Sequence, residues 1–372
     1  MAEPVAPPRR YRAAIIGLSW IGADPPQPAS DPLLGTAAPG THTSAMATIP
    51  EIDIVAGADI APAAREQFLE RWRPVWPATL VYEDYRELFR EHPDLDLVSI
   101  VTPDHLHGVV LQAALDAGAR SIFCEKPLSI SLEEADRMVS AVRAAKVPMS
   151  INYGRRWMPE YVEARRLVKA GAIGELVSVL LENGGPRAML WRIHTHALDL
   201  ITYFADAEPS WVWAELEPGM QDYGTEYKGD GGRTASLEPG ANAYITYANG
   251  VRGYLTGWKR NPQDYVLHLI GTEGRIEIDV EGWRMIKTPV SDSRMPVEGL
   301  ASPSSTAIKP RYTYEGMAAA IRELLRALDT GEPTISSGET ARRTVAITDA
   351  ILRSQAAGNA RVDVVPPPWS DG

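Results

Sequence analysis

At 372 residues with 45% hydrophobic side chains, the chain is long enough for two domains that each bury a core, which excludes a single small module. Its 37 basic against 48 acidic residues give a formal net charge of -11, which repels polyanions and argues against nucleic acid as a partner. The lone Cys124 can form no internal disulfide and belongs to no zinc-type spacing, so no metal is expected; with no signal-peptide core and no run of about 18 apolar residues, no membrane partner is expected and a cytoplasmic protein is predicted.

The first predicted element is a strand over 11–16, bounded by Gly17. Apolar runs at 52–58, 97–101 and 121–124 follow it, ending at Asp59, at Thr102-Pro103 and at Glu125, as strands buried on both faces do. Between them the pattern predicts helices over 63–73, 85–91 and 107–117, the last stopped by Gly118. Strands alternating with helices predict an α/β fold with a doubly wound parallel sheet. Ser131 and Glu134 form a capping box for a helix to about residue 145, a short strand follows Pro148 at 149–151, and a domain boundary falls near 127–150.

Beyond a helix over 161–170, closed by Gly171, the pattern turns to alternating strands at 176–181, 211–217, 241–247, 251–258 and 265–270, which favour an antiparallel sheet in an α+β domain. Asn249-Gly250 predicts a two-residue type I′ hairpin turn. Residues 289–310, rich in Ser and Pro, are read as an exposed loop leading into a helix over 314–328 that ends before Gly331, and a last helix spans 338–357. The predicted domains are 1–128 and 129–372.

Gly17-Leu18-Ser19-Trp20-Ile21-Gly22 follows the first strand directly, where a dinucleotide-binding fold puts its phosphate turn, with Ser19 in place of the middle glycine. Asp59 closes the second strand. A carboxylate there accepts both ribose hydroxyls of NAD and repels the 2′-phosphate of NADP, and no Arg occurs at 60–64, so NAD is favoured and NADP is the less favoured cofactor. A Pro- and Gly-rich insertion, 23–41, stretches the spacing from the glycine turn to Asp59 beyond the usual ~20 residues; it reads as a surface loop or a flap.

The glycine turn, Thr102-Pro103-Asp104-His105-Leu106-His107 and Cys124-Glu125-Lys126-Pro127-Leu128 occur in this order. Together with Lys169-Ala170-Gly171-Ala172-Ile173-Gly174-Glu175, His196-Ala197-Leu198-Asp199 and Gly271-Thr272-Glu273-Gly274, they make the chain resemble the glucose-fructose oxidoreductase/inositol dehydrogenase/rhizopine catabolism (Gfo/Idh/MocA) family over nearly its whole length. The resemblance implies an N-terminal Rossmann domain and a C-terminal domain on a large, mostly antiparallel sheet that serves substrate binding and, through its open face, a homodimer or homotetramer. It also implies oxidation or reduction at a secondary hydroxyl or ketone of a sugar, sugar derivative or cyclitol. Lys126 would stand at the substrate hydroxyl beside the nicotinamide, with Glu125 and Pro127 shaping the turn, the proline often through a cis bond. Hydride removal from a carbinol requires its O–H proton to leave, and a desolvated Lys can take it. The plainer reading of Lys126 is a lysine at a strand end paired with a nearby carboxylate. Cofactor contacts are expected from Gly17, Ser19, Trp20, Ile21, Gly22, Asp59, Thr102, Pro103, His107, Glu125 and Lys126.

The family's second landmark is an Asp four residues before a His, with another Asp three residues beyond. His196 and Asp199 match its end, and Asp199 would orient the imidazole from the same helix face. Arg192 stands where the first Asp is expected. A guanidinium cannot take a proton at neutral pH but can grip a carboxylate or polyol hydroxyls. His196 is therefore the expected second catalytic group, and Tyr153, Arg156, Arg192 and His194 the expected substrate contacts. Two other readings stay open: a redox-neutral enzyme with tightly bound NAD that cleaves glycosides or epimerises, and a non-catalytic ligand-binding relative.

Overall fold

The computed structural model describes residues 10–24, 39–262, 265–279, 282–287, 304–309 and 315–369. The chain begins with β1 (Tyr11–Ile16), α1 (His42–Ala47), β2 (Ile52–Ala58), α2 (Pro62–Trp72), β3 (Leu80–Tyr82), α3 (Tyr85–Glu91) and β4 (Leu97–Ile100). It continues with α4 (His107–Asp116), β5 (Ile122–Cys124), α5 (Leu132–Ala145) and β6 (Met149–Ile151). The six strands pair in parallel in the order β3-β2-β1-β4-β5-β6. Burial on both faces explains their unbroken apolar runs: every residue of β4, β5 and β6 is buried. The strand order reverses between β1 and β4, and in such sheets ligands bind outside the carboxyl ends at that reversal.

Then follow α6 (Pro159–Lys169), β7 (Leu176–Asn183), α7 (Ile193–Ala205), β8 (Pro209–Leu216), β9 (Ala241–Tyr247) and β10 (Arg252–Gly257). After them come β11 (Tyr265–Gly271), β12 (Gly274–Ile278), β13 (Trp283–Lys287), β14 (Ser304–Ala307), α8 (Met317–Thr330), α9 (Gly338–Ala356) and β15 (Val362–Asp363). Nine strands make a second sheet, β14-β13-β12-β11-β7-β10-β9-β8-β15, antiparallel except for the β7–β10 pair. Helix α7 packs on β7 and β10, where Gly253 leaves room for Ile201: a Cβ there would lie 2.6 Å from the Ile201 side chain. The inward residues Val179, Leu181, Ile245, Leu255, Leu267 and Leu269 form this unit's core with Leu198 and Ile201. Among the described residues no helix is long and apolar enough to cross a membrane.

The chain divides into two compact units, and the first boundary falls at Ser129. Unlike the simple cut predicted, Arg137–Gly154 and Tyr314–Gly338 also belong to the first unit. The reason is pairing: β6 extends the parallel sheet beside β5, and α8 packs on α1 and β6.

The β9–β10 hairpin also differs from expectation. Asn249 does not take positive φ; only Gly250 does, at +90°. Tyr247 and Val251 close a three-residue loop through the Tyr247 N–H to the Val251 carbonyl. This is a type I-like turn with glycine as the left-handed residue. The Asn249 side chain donates to the Ala205 carbonyl and accepts from the Val251 N–H, which holds its backbone in this form. Within the predicted 289–310 loop, residues 304–307 form the edge strand β14, while most of the remainder lies outside the described residues, as does the middle of the 23–41 insertion.

Candidate functional site

In the first unit the glycine turn is dictated by close backbone approach. Gly17 has φ +104°, and a Cβ on it would lie 2.4 Å from the Val101 carbonyl oxygen. A Cβ on Gly22 would lie 2.3 Å from the Gly17 oxygen. No other residue type fits either place without moving the main chain. Ser19, Trp20 and Ile21 are exposed on the turn, and Trp20 is held at φ +52°, a left-handed conformation that is strained for a non-glycine residue. Asp59 is drawn onto the turn: its Oδ2 accepts from the Leu18 N–H at 2.9 Å and its Oδ1 from the Ala61 N–H at 2.9 Å.

The insertion leaves and rejoins this turn at one place. The N–H groups of His42 and Thr43 donate to the carbonyls of Ile21 and Gly22, both at 2.9 Å, and the Thr43 hydroxyl donates to the same Gly22 oxygen. A capping box between Thr41 and Ser44 starts α1 there. The helix thus resumes as if 23–41 were absent, which returns the distance from the turn to Asp59 to the usual ~20 residues. The two required glycines, the exposed turn and the carboxylate at its rim fit a dinucleotide.

Two strands along the same sheet, β5 delivers Glu125-Lys126-Pro127 at its carboxyl end, and the Lys126–Pro127 peptide is cis. Glu125 is 8% exposed. Its Oε1 accepts from His42 Nε2 at 2.9 Å and from Asn152 Nδ2 at 2.5 Å, and its Oε2 accepts from the Lys126 N–H at 3.2 Å. Burial alone would raise this carboxyl, but the hydrogen bond and charge of His42, the charge of Lys126 and the Asn152 amide together bring it down to about 2. Glu125 is therefore a buried, ionised carboxylate. Burial pushes the neighbouring Cys124 thiol up, with Glu125 and Asp104 adding to it, so the cysteine is an inert core group.

His107, expected near the nicotinamide ribose, is fully buried. Its Nδ1 lies 3.0 Å from the Pro127 carbonyl oxygen and its Nε2 3.0 Å from the Thr102 carbonyl oxygen. It braces the Lys126 turn against the end of β4. Tyr153, one of the predicted substrate contacts, is also fully buried in this unit.

Arg156, Arg192, His194, His196 and Asp199 lie in the second unit. Arg156 and Asp199 form a bidentate pair, Nε to Oδ2 at 2.9 Å and Nη2 to Oδ1 at 2.7 Å, and both are almost wholly buried. Asp199, expected to orient His196, is thus gripped by Arg156. Burial pushes the Asp199 carboxyl up while the guanidinium pulls against it. His196 is half-buried on α7, and Arg192 stands at the helix start, donating from Nη2 to the Tyr227 hydroxyl at 2.8 Å. A Cβ on Gly232 would lie 2.5 Å from Arg192 Cδ, so the 227–232 loop closes over the guanidinium stem.

His194 is fully buried, and among the described residues neither ring nitrogen has a hydrogen-bond partner. Its ring lies against Gly257, where a Cβ would come within 2.2 Å of Nε2. Burial, helped by the charge of Lys259, lowers its pKa to about 3 from 6.5. The unfolded chain therefore takes up a proton near 6.5 and the folded chain only near 3. Between those values the unfolded state binds more protons, so stability falls as pH falls. Urea titrations across this range should show that loss in the wild type and a shallower one in His194→Leu; equal slopes would place the acid sensitivity elsewhere.

Sequence reasoning missed His42 and Ser99, which meet at His42 Nδ1 and Ser99 Oγ, 2.7 Å apart. The missing signal was positional: the insertion hides that His42 follows the glycine turn in space. Lys259, paired with Glu217 at 2.5 Å, and Tyr227 lacked any local signal at all. Among the described residues no group of three or more His, Cys, Asp or Glu is placed to hold a metal ion.

Two family models match the chain: residues 11–153 match the oxidoreductase family with the NAD-binding Rossmann fold, and residues 161–277 match the GFO/IDH/MocA C-terminal domain. Among curated proteins, scyllo-inositol 2-dehydrogenase (NAD(+)) of Bacillus subtilis is 30% identical over 232 residues, covering 58% of this chain and 61% of that protein. Levoglucosan dehydrogenase of Pseudarthrobacter phenanthrenivorans is 29% identical over 231 residues, covering 53% and 58%. The chain thus matches roughly three-fifths of the length of each of these relatives. Among solved structures, a levoglucosan dehydrogenase in complex with NADH and L-sorbose superposes with a TM-score of 0.74 at 20% identity, covering 96% of this chain and 99% of that one. Aldose-aldose oxidoreductase from Caulobacter crescentus gives 0.72 at 20% identity, covering 95% and 100%. With both domain models matched in order and the parallel and nine-stranded sheets in place, the chain belongs to the Gfo/Idh/MocA oxidoreductase family, and its first unit is that family's NAD-binding Rossmann domain.

Proposed function

We propose that the protein is an NAD-dependent dehydrogenase acting on a secondary hydroxyl, or the corresponding ketone, of a sugar, sugar derivative or cyclitol. The observation that carries this reading is the placing of Lys126 at the carboxyl end of β5, in the same parallel sheet whose β1 ends in the glycine turn with Asp59. Bound NAD supplies the hydride acceptor. Lys126 Nζ takes the hydroxyl proton as the carbon–oxygen double bond forms, and returns it in the reverse direction. Glu125, anchored in the core, fixes the turn from which Lys126 projects. His196 assists at the substrate, and the Arg192 guanidinium binds substrate oxygen. The inositol and levoglucosan dehydrogenases among the relatives support a polyol substrate.

Calorimetric titration with NAD and NADP tests the cofactor half of this reading. The wild type should prefer NAD, and Asp59→Ala should lose that preference by about tenfold, the scale of one lost charge-assisted contact. Binding of neither cofactor would favour a ligand-binding relative without catalysis.

The partner surface we propose for a homodimer or homotetramer is the sheet face opposite α7. By strand register Trp213, Tyr244, Tyr254, Leu180, His268, Glu277 and Arg284 form one row across it, and the rings of Trp211, Tyr244 and Tyr254 pack as tilted neighbours with centroids 5.2 Å apart. Trp213 is 42% exposed, a large aromatic of the kind that anchors interfaces. Sedimentation should find an oligomer that Trp213→Glu dissociates; a monomeric wild type would remove this assignment.

A further inference from the structure

The Glu-Lys-Pro turn is held by a histidine that cannot reach a ligand. His42 is fully buried at the first position of α1, with its ring 4.7 Å from that of Phe123 on β5. Both ring nitrogens are committed, Nδ1 to the Ser99 hydroxyl at 2.7 Å and Nε2 to Glu125 Oε1 at 2.9 Å. A carboxylate only accepts, so Nε2 carries the proton given to Glu125, while Nδ1 is engaged by the Ser99 hydroxyl, which can serve as donor or acceptor.

We propose that His42 is a positioning residue for Lys126, acting through the carboxylate of Glu125; the proposal rests on the reading of Lys126 as the proton-transfer group. The two oxygens of Glu125 divide the work. Oε1 is fastened to α1 by His42 and to the segment after β6 by Asn152, whereas Oε2 receives the backbone N–H of Lys126 itself. Glu125 is thus a clamp with one end in the core and the other on the main chain of the working residue. Release of the core end frees the other.

The clamp also sets charge. Glu125 faces His42 from α1, Asn152 from the end of β6, and Lys126 and Cys124 from its own segment, with Asp104 acting on the same thiol. A carboxylate that shares its charge with two donors attracts the Lys126 ammonium less than one left alone. Loss of His42 should therefore favour protonated Lys126, and loss of the Glu125 charge should favour the neutral amine. These two changes act on Lys126 with opposite sign, which simple damage to the fold would not do.

The test is competitive acetylation of the cofactor-free full chain with acetic anhydride across pH 6 to 10, reading the Lys126 peptide by mass spectrometry. In His42→Ala the labelling rate near neutral pH should fall about threefold or more, in Glu125→Gln it should rise by a similar factor, and His42→Gln, whose amide restores a donor, should return toward the wild type. In turnover, His42→Ala should lower kcat about tenfold with KM little changed, as for a lost orienting contact. Unchanged Lys126 labelling in a folded His42→Ala, or a shift of the same sign in His42→Ala and Glu125→Gln, overturns the proposal. Should His42→Ala not fold, an unshifted profile in Glu125→Gln overturns it. Because labelling is read without cofactor or substrate, its outcome is independent of whether the dehydrogenase reading holds.

Discussion

Lys126→Ala should lower turnover by a factor of about 10² or more while NAD still binds, the scale expected when a general acid/base is removed. The residue stands at the end of β5, outside the glycine turn, so its loss should leave the Asp59 contacts with the turn unchanged. Calorimetry beside steady-state kinetics separates the two effects. A variant with unchanged kcat would take Lys126 out of the mechanism and leave it as a lysine at a strand end. A variant that binds no cofactor would make it a binding residue first.

Arg156→Ala should produce the largest loss of stability. Asp199 is 1% exposed and is held by Nε and Nη2 of Arg156, so truncation strands a carboxylate inside the second unit at a cost of about 3–5 kcal/mol. The double change Arg156→Met with Asp199→Leu removes both charges and should recover most of that loss, since a well-packed apolar pair often replaces a buried ion pair without penalty. Amide exchange along α7 reads the result directly. If Arg156→Ala instead leaves α7 protected and raises KM alone, the guanidinium serves the substrate and the pair with Asp199 is dispensable.

Much of the fold was legible because its strongest signals are local. The run 11–16 before Gly17 and the run 52–58 before Asp59 are β1 and β2 to the residue, and α3 and β9 fall where periodicity put them. What depends on distant pairing was not legible. Nothing local to 314–338 says that α8 returns to the first unit, and Asn249-Gly250 alone does not reveal that Ala205 will capture the Asn249 side chain.

The site divides the same way. Glu125-Lys126-Pro127 and the glycine turn are contiguous in sequence and so are legible as motifs. The supports of Lys126 come from α1, β4 and β6: His42 bonds to Glu125 across 83 positions and to Ser99 across 57. Arg156, expected at the substrate, turned to an Asp 43 positions away because a fully buried guanidinium must have a carboxylate or its equivalent. His107 is likewise buried, between two backbone carbonyls supplied by Pro127 and Thr102.

The most direct measurement is the stoichiometry of NADH release on a panel of cyclitols, aldoses and anhydro-sugars, with the carbinol carbon deuterated in the best substrate. One NADH per ketone formed, with slower turnover for the deuterated carbon, is the predicted result. Substrate consumed with no net NADH would contradict the dehydrogenase account and assign the protein to a redox-neutral cycle on tightly bound NAD.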